Sequence, residues 1–90
     1  MSDITIKLAP RVDLQIKRSD SGRIAMYTWL RPSRRQGSKI VGSVHPKASD
    51  VRVYLHDGAH TLQTDEALFY VSADDVAAVC EFLGIQVQSA

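Results

Sequence analysis

"KRSDSGRIAMYTWL", residues 17–30, carries a strand end, a turn and a complete strand, and its reading decides how the sheet is built. Ser19-Asp20-Ser21-Gly22 has the composition of a hairpin loop, in which short polar side chains bond to nearby backbone and glycine supplies unusual dihedrals. Upstream, Val12, Leu14 and Ile16 alternate with Asp13, Gln15 and Lys17, the period of a strand with one buried face. Downstream, the run Ile24 to Leu30 is apolar on both sides. A four-residue loop pairs Arg18 with Arg23, which sets Leu14 opposite Tyr27 and Val12 opposite Trp29 on one core face. Ile24, Met26 and Leu30 then fall on the opposite face.

Working outward, Ile4, Ile6 and Leu8 alternate with Thr5 and Lys7 in a first strand that Pro10 closes. Lys39 to Val44 forms a further strand ending at His45-Pro46. Asp57-Gly58 is a favoured two-residue hairpin turn, and it pairs Val53 with Leu62, Tyr54 with Thr61 and Leu55 with His60. Leu68 to Val71 reads as another short strand, with a helical turn from Thr64-Asp65-Glu66 as the competing reading.

One helix closes the pattern. Ser72 is placed as its N-cap with Asp75 three residues on, and Asp74 and Asp75 sit where the helix dipole favours negative charge. Val76, Val79, Cys80 and Leu83 recur at helical spacing as one apolar face, and Gly84 ends the helix ahead of Ile85. The expected fold is therefore α+β: an antiparallel sheet of five or six strands, open or curled, with one C-terminal amphipathic helix packed on one face. At 90 residues the chain is expected to be a single domain.

That architecture poses a covering problem. One helix shields one side of the sheet, which leaves Ile24, Met26 and Leu30 to be covered some other way. Either the sheet curls over them, or the stripe is an interface with a partner or a second copy. A homodimer through these three residues is thus one expectation.

Charge is unevenly spread. Residues 1–48 carry ten Lys or Arg against three acids, a net +7, and residues 49–90 carry one against seven, a net −6. The densest basic stretch, "WLRPSRRQGSK" at residues 29–39, puts Arg31, Arg34, Arg35 and Lys39 around Pro32 and Gly37. These four are the candidate binding residues, because guanidinium groups at a loop tip suit either protein carboxylates or phosphates.

Catalytic and metal chemistry find little support. His56 and His60 are four apart, but the Asp57-Gly58 turn sends them to opposite faces of a hairpin, so a shared metal is not expected. Cys80 lies on the apolar helix face, where a thiol behaves as a small hydrophobe. There is no phosphate-binding glycine loop, nucleophile elbow or dinucleotide fingerprint. No catalytic residue, metal or cofactor is assigned, and the chain is expected not to be an enzyme.

The single cysteine fits a reducing compartment, the interrupted N-terminal apolar pattern argues against a secretory signal, and no apolar run reaches membrane-spanning length. A cytoplasmic location is the expectation. The function expected is a small module that binds and blocks a larger protein, of the inhibitor or immunity type. Phage-encoded anti-defence proteins such as anti-CRISPRs share that profile at the level of class alone. Nucleic-acid binding through residues 31–39 is the alternative, and the expectation that Tyr27 and Trp29 face the core weighs against it.

Overall fold

The computed structural model describes residues 2–32, 35 and 37–89. The chain divides into two compact units, Met1–His45 and Pro46–Ala90. The first contains four strands, β1 (Ser2–Ala9), β2 (Val12–Arg18), β3 (Ile24–Leu30) and β4 (Lys39–Val44), in an antiparallel sheet ordered as in sequence.

The hairpin between β2 and β3 has a three-residue loop. The Gly22 amide donates to the Ser19 carbonyl at 2.9 Å, Gly22 is left-handed at φ +87°, and the Ser19 amide donates to the Arg23 carbonyl at 2.9 Å. Ser19 and Arg23 therefore close the hairpin, as in the familiar turn whose fourth residue is a left-handed glycine. The Ser19 hydroxyl also accepts from the Arg23 amide at 3.1 Å. Arg18 consequently pairs with Ile24, Ile16 with Met26 and Leu14 with Thr28.

This is one residue away from the expected pairing, and a slip of one residue moves every side chain of a strand to the other face. Ile24 and Met26 join Ile6, Leu14 and Ile16 on the buried face; they are 5 % and 1 % exposed. The stripe expected to lie uncovered is thus buried at Ile24 and Met26 and half-buried at Leu30. Tyr27 and Trp29, expected in the core, lie on the opposite face with Asp13, Gln15 and Lys17.

The second unit begins with a 3-10 turn at Ala48–Asp50, followed by β5 (Arg52–His56), β6 (Ala59–Gln63), β7 (Leu68–Val71), α1 (Ala73–Leu83) and β8 (Val87–Ser89). Its sheet runs β7-β6-β5-β8, with β8 parallel to β5 and the other pairs antiparallel. The Asp57-Gly58 turn has both residues at positive φ, 51° and 78°, and gives the expected register. Thr64 resolves the competing readings of the following segment: its amide donates to the Ala67 carbonyl at 2.9 Å and its hydroxyl accepts from the Glu66 and Ala67 amides. That closes a turn into β7 instead of starting a helix.

Helix α1 begins at Ser72 and ends at left-handed Gly84, with the Ile85 amide reaching back to the Cys80 carbonyl at 3.1 Å. The Ser72 hydroxyl donates to the Asp75 carboxylate at 3.0 Å and accepts no capping bond from a helix amide. Val76, Val79 and Leu83 are buried, Cys80 is half-buried, and α1 lies against β6.

The chain is thus α+β with a C-terminal helix, but among the described residues eight strands form two four-stranded sheets, not five or six strands in one. The boundary between the two units falls at His45-Pro46, just after β4 ends at Val44. Proline removes one donor from the connection. Among the described residues, no helix is long and apolar enough to cross a membrane.

Candidate functional site

The slipped register builds a polar and aromatic surface on the first sheet. Two cross-strand rows make it: Thr5, Gln15, Tyr27 and Ser43, and next to them Lys7, Asp13, Trp29 and Ile40. Tyr27 and Trp29 are two residues apart on β3, so their attachment points lie about 7 Å apart on one face.

Trp29 is held by a two-step relay. Its Nε1–H donates to Gln15 Oε1 at 3.0 Å, and Gln15 Nε2 donates to Asp3 Oδ2 at 2.9 Å. The carboxylate accepts from the amide, which leaves the amide oxygen to accept from the indole. Three strands thereby fix the plane of one large aromatic ring. Tyr27 is framed by the Lys17 ammonium, 5.7 Å from the ring centroid, and by the His45 ring, edge-on at 5.9 Å and 82°.

Between these rows lies an open depression of about 240 Å³ lined by Thr5, Asp13, Gln15, Trp29 and Ser38. Asp13 stands directly opposite Trp29 across the β2–β3 ladder and is half-buried. It has no hydrogen-bond or ion-pair partner among the described residues. On the flank, β4 is exposed over nearly its whole length, with Ile40 and Val41 49 % and 53 % exposed. The ladder shifts register between Thr28 and Trp29, so that Trp29 meets Ile40 while Thr28 meets Gly42, and Val41 is the extra residue of a bulge.

The basic loop grows from this same edge. Arg31 and Arg35 are exposed; Lys39, also exposed, opens β4 opposite Leu30, which brings Arg31 and Lys39 to the loop mouth. Arg34 lies outside the described residues. The loop's base is clamped by Arg11, whose carbonyl accepts from the Arg31 amide at 2.9 Å and whose Nη1 donates to the Pro32 carbonyl at 3.0 Å. Arg11 itself is left-handed at φ 71°, a conformation that costs a non-glycine residue of order 1 kcal/mol. The unit Met1–His45 carries nine Lys or Arg against three acids, and Pro46–Ala90 two against seven.

The other candidate residues stay apart. His56 and His60 sit on opposite faces of their hairpin; His56 Nε2 is 3.2 Å from the carboxylate of its neighbour Asp57 at the exposed turn. Burial pushes the Cys80 thiol pKa up from its ordinary value, which keeps it protonated and weakly nucleophilic. Among the described residues no group of three or more His, Cys, Asp or Glu is placed to hold a metal ion. In the second unit a shallow depression borders Asp50, Arg52, Tyr54, Gln63, Thr64 and Asp65, and the Arg52 guanidinium there is tied to the Ser49 carbonyl at 2.6 Å.

Sequence reasoning located the basic loop and the polar face of β2 that carries Asp13 and Gln15, but missed Tyr27 and Trp29 as the surface residues beside them. The signal for them was Gly22: read as the left-handed fourth residue of the turn, it shortens the loop by one and turns both aromatics outward. Compared with protein-family models, with curated proteins and with solved structures, the chain matches none of them.

Proposed function

We propose that this chain is a small non-catalytic protein-binding module that blocks or neutralises a larger protein, with the outer face of β1–β4 and the loop 31–39 as its binding surface. The observation that carries this reading is Trp29, an aromatic anchor whose orientation is fixed by Gln15 and Asp3 on the side of the sheet away from the core. A ring already held in place loses little rotational freedom on binding, and Trp, Tyr and Arg are the side chains that carry most interface energy. Tyr27, Arg31, Arg35 and the half-exposed Ile40 and Val41 complete an anchor with apolar and charged surroundings. Inhibitor and immunity-type proteins work by such occlusion, and phage-encoded anti-defence proteins are one group of that type. The single cysteine suits a reducing, cytoplasmic setting.

Nucleic-acid binding is the second reading, and the same register favours it: two aromatics spaced by two on a sheet face, next to basic residues, form a stacking platform. Asp3 and Asp13 on that face oppose it by repelling phosphates. Affinity capture from the native host separates the two. Capture of one protein that survives nuclease treatment and is lost in Tyr27→Ser supports the protein reading. Retention on single-stranded DNA or RNA that falls steeply with salt, with capture abolished by nuclease, overturns it.

A further inference from the structure

We infer that the depression formed by Asp13, Trp29, Thr5, Gln15 and Ser38 receives an arginine side chain of the protein partner, an inference that rests on the protein-binding reading above. Three features of the depression define the ligand. Its aromatic wall is an indole held in one orientation by the Gln15–Asp3 relay, and a flat cation stacks on such a ring. Its charged group is a carboxylate directly across the ladder from that ring, half-buried and with no partner among the described residues. Its remaining polar lining, the hydroxyls of Thr5 and Ser38, can accept further N–H bonds.

A guanidinium satisfies all three at once. It offers a planar face to the indole, a two-pronged donor edge to the carboxylate, and further N–H groups to the hydroxyls. An apolar side chain would leave Asp13 half-desolvated and unpaired, which disfavours it. A carboxylate or phosphate would be repelled by Asp13. Lys7 stands across the β1–β2 ladder from Asp13 but forms no ion pair with it and does not line the depression. It is a nearby positive charge that the incoming arginine must tolerate. The partner surface that fits is therefore one arginine seated beside carboxylates, which meet Arg31 and Arg35 on the adjoining loop.

The test uses N-acetyl-arginine N-methylamide as probe and its citrulline analogue, equal in shape and uncharged, as control. Trp29 is the chain's only tryptophan, so the single indole N–H resonance in an amide correlation spectrum reports this depression alone. The arginine probe should shift that resonance saturably, with a dissociation constant on the order of millimolar, and the citrulline analogue should bind roughly tenfold more weakly. Asp13→Asn should weaken the arginine probe about tenfold while the indole resonance of the unbound protein keeps its position, which shows that the Gln15 bond survives. Lys7→Gln should tighten binding, the opposite direction.

Equal binding of arginine and citrulline probes, no saturable shift with either, or indifference to Asp13→Asn overturns the assignment, as does a larger shift with guanosine monophosphate than with the arginine probe. The two readings fail separately. If the probe does not bind but nuclease-resistant capture through Tyr27 persists, the arginine pocket falls and the binding face stands. If the probe binds but capture is nuclease-sensitive, the cation site stands and the protein partner falls.

Discussion

Ile16 and Met26 stand directly opposite each other on β2 and β3, and both are buried. Their pairing fixes which face of the first sheet is core, so it is the relationship to test first. Met26→Ala should destabilise the protein by about 2–5 kcal/mol, the usual cost of deleting a large buried side chain, read from the urea midpoint. Met26→Lys should prevent folding instead of producing a soluble monomer, because it buries a charge without a partner. A loss below about 0.5 kcal/mol for Met26→Ala, the range of surface substitutions, would return Met26 to the surface and Tyr27 to the core.

Gly22 sets that register. At φ +87° and with nothing within 4 Å of an added Cβ, it has space for a side chain but not the conformation for one. Gly22→Ala should therefore cost about 1 kcal/mol through backbone strain. Gly22→Asn should cost less, since asparagine tolerates the left-handed region. Equal losses for the two variants would mean that the turn is not held in that conformation.

What was legible in the sequence was local. The Asp57-Gly58 hairpin, the bounds of β3 and β4, and α1 with its Gly84 stop are each written in residues close together in the chain, by alternation, turn chemistry or helical spacing. What was not legible needed long-range information or a single-residue decision. Whether β4 continues into the sheet of β5 depends on pairing between distant segments, and three residues at Val87–Ser89 carry too short a pattern to mark a strand. The relay from Trp29 through Gln15 to Asp3 joins three strands. It depends on the three-residue loop closed by Ser19 and Arg23, which sets the register that turns Trp29 onto the face of Gln15.

Cys80 offers a prediction whose sign follows from its environment. Burial raises the thiol pKa in the folded chain above the ordinary value of 9.0. A raised folded value means that this group's contribution to stability is fully present below the unfolded pKa and is lost as pH rises through 9.0 towards the folded value. Between pH 8 and a pH on the order of 10, wild type should lose more stability than Cys80→Ala, the difference isolating the thiol. Alkylation at neutral pH should be slow in the native protein and fast in urea. Equal pH slopes together with rapid native alkylation would place Cys80 off the apolar face.

Arg11 is a strained residue that clamps the loop through Pro32. Arg11→Gly relieves the dihedral but deletes the guanidinium contact, and these effects oppose each other, so stability should change by less than about 1 kcal/mol. The Arg31 amide should nonetheless exchange faster with solvent, because its acceptor at the turn is less firmly placed. Unchanged exchange would show that the backbone bond alone holds the loop.

The basic loop gives the sharpest separation between folding and binding. Arg31 and Arg35 are exposed, and changing such residues usually alters stability by less than about 0.5 kcal/mol. An arginine engaged at an interface can contribute 2 kcal/mol or more, roughly a 30-fold change in affinity. Changing Arg31 and Arg35 together to Glu should therefore leave the melting temperature nearly unmoved while weakening partner capture at least tenfold. Because the loss is electrostatic, the gap between mutant and wild type should narrow as salt is raised. A gap that stays constant with salt would assign the arginines a packing role in the interface. If the double mutant unfolds, the loop's links to Arg11 are structural supports of the sheet. If it folds and binds like wild type, residues 31–39 are a solvated turn, and the binding surface reduces to Tyr27, Trp29 and the exposed strand β4.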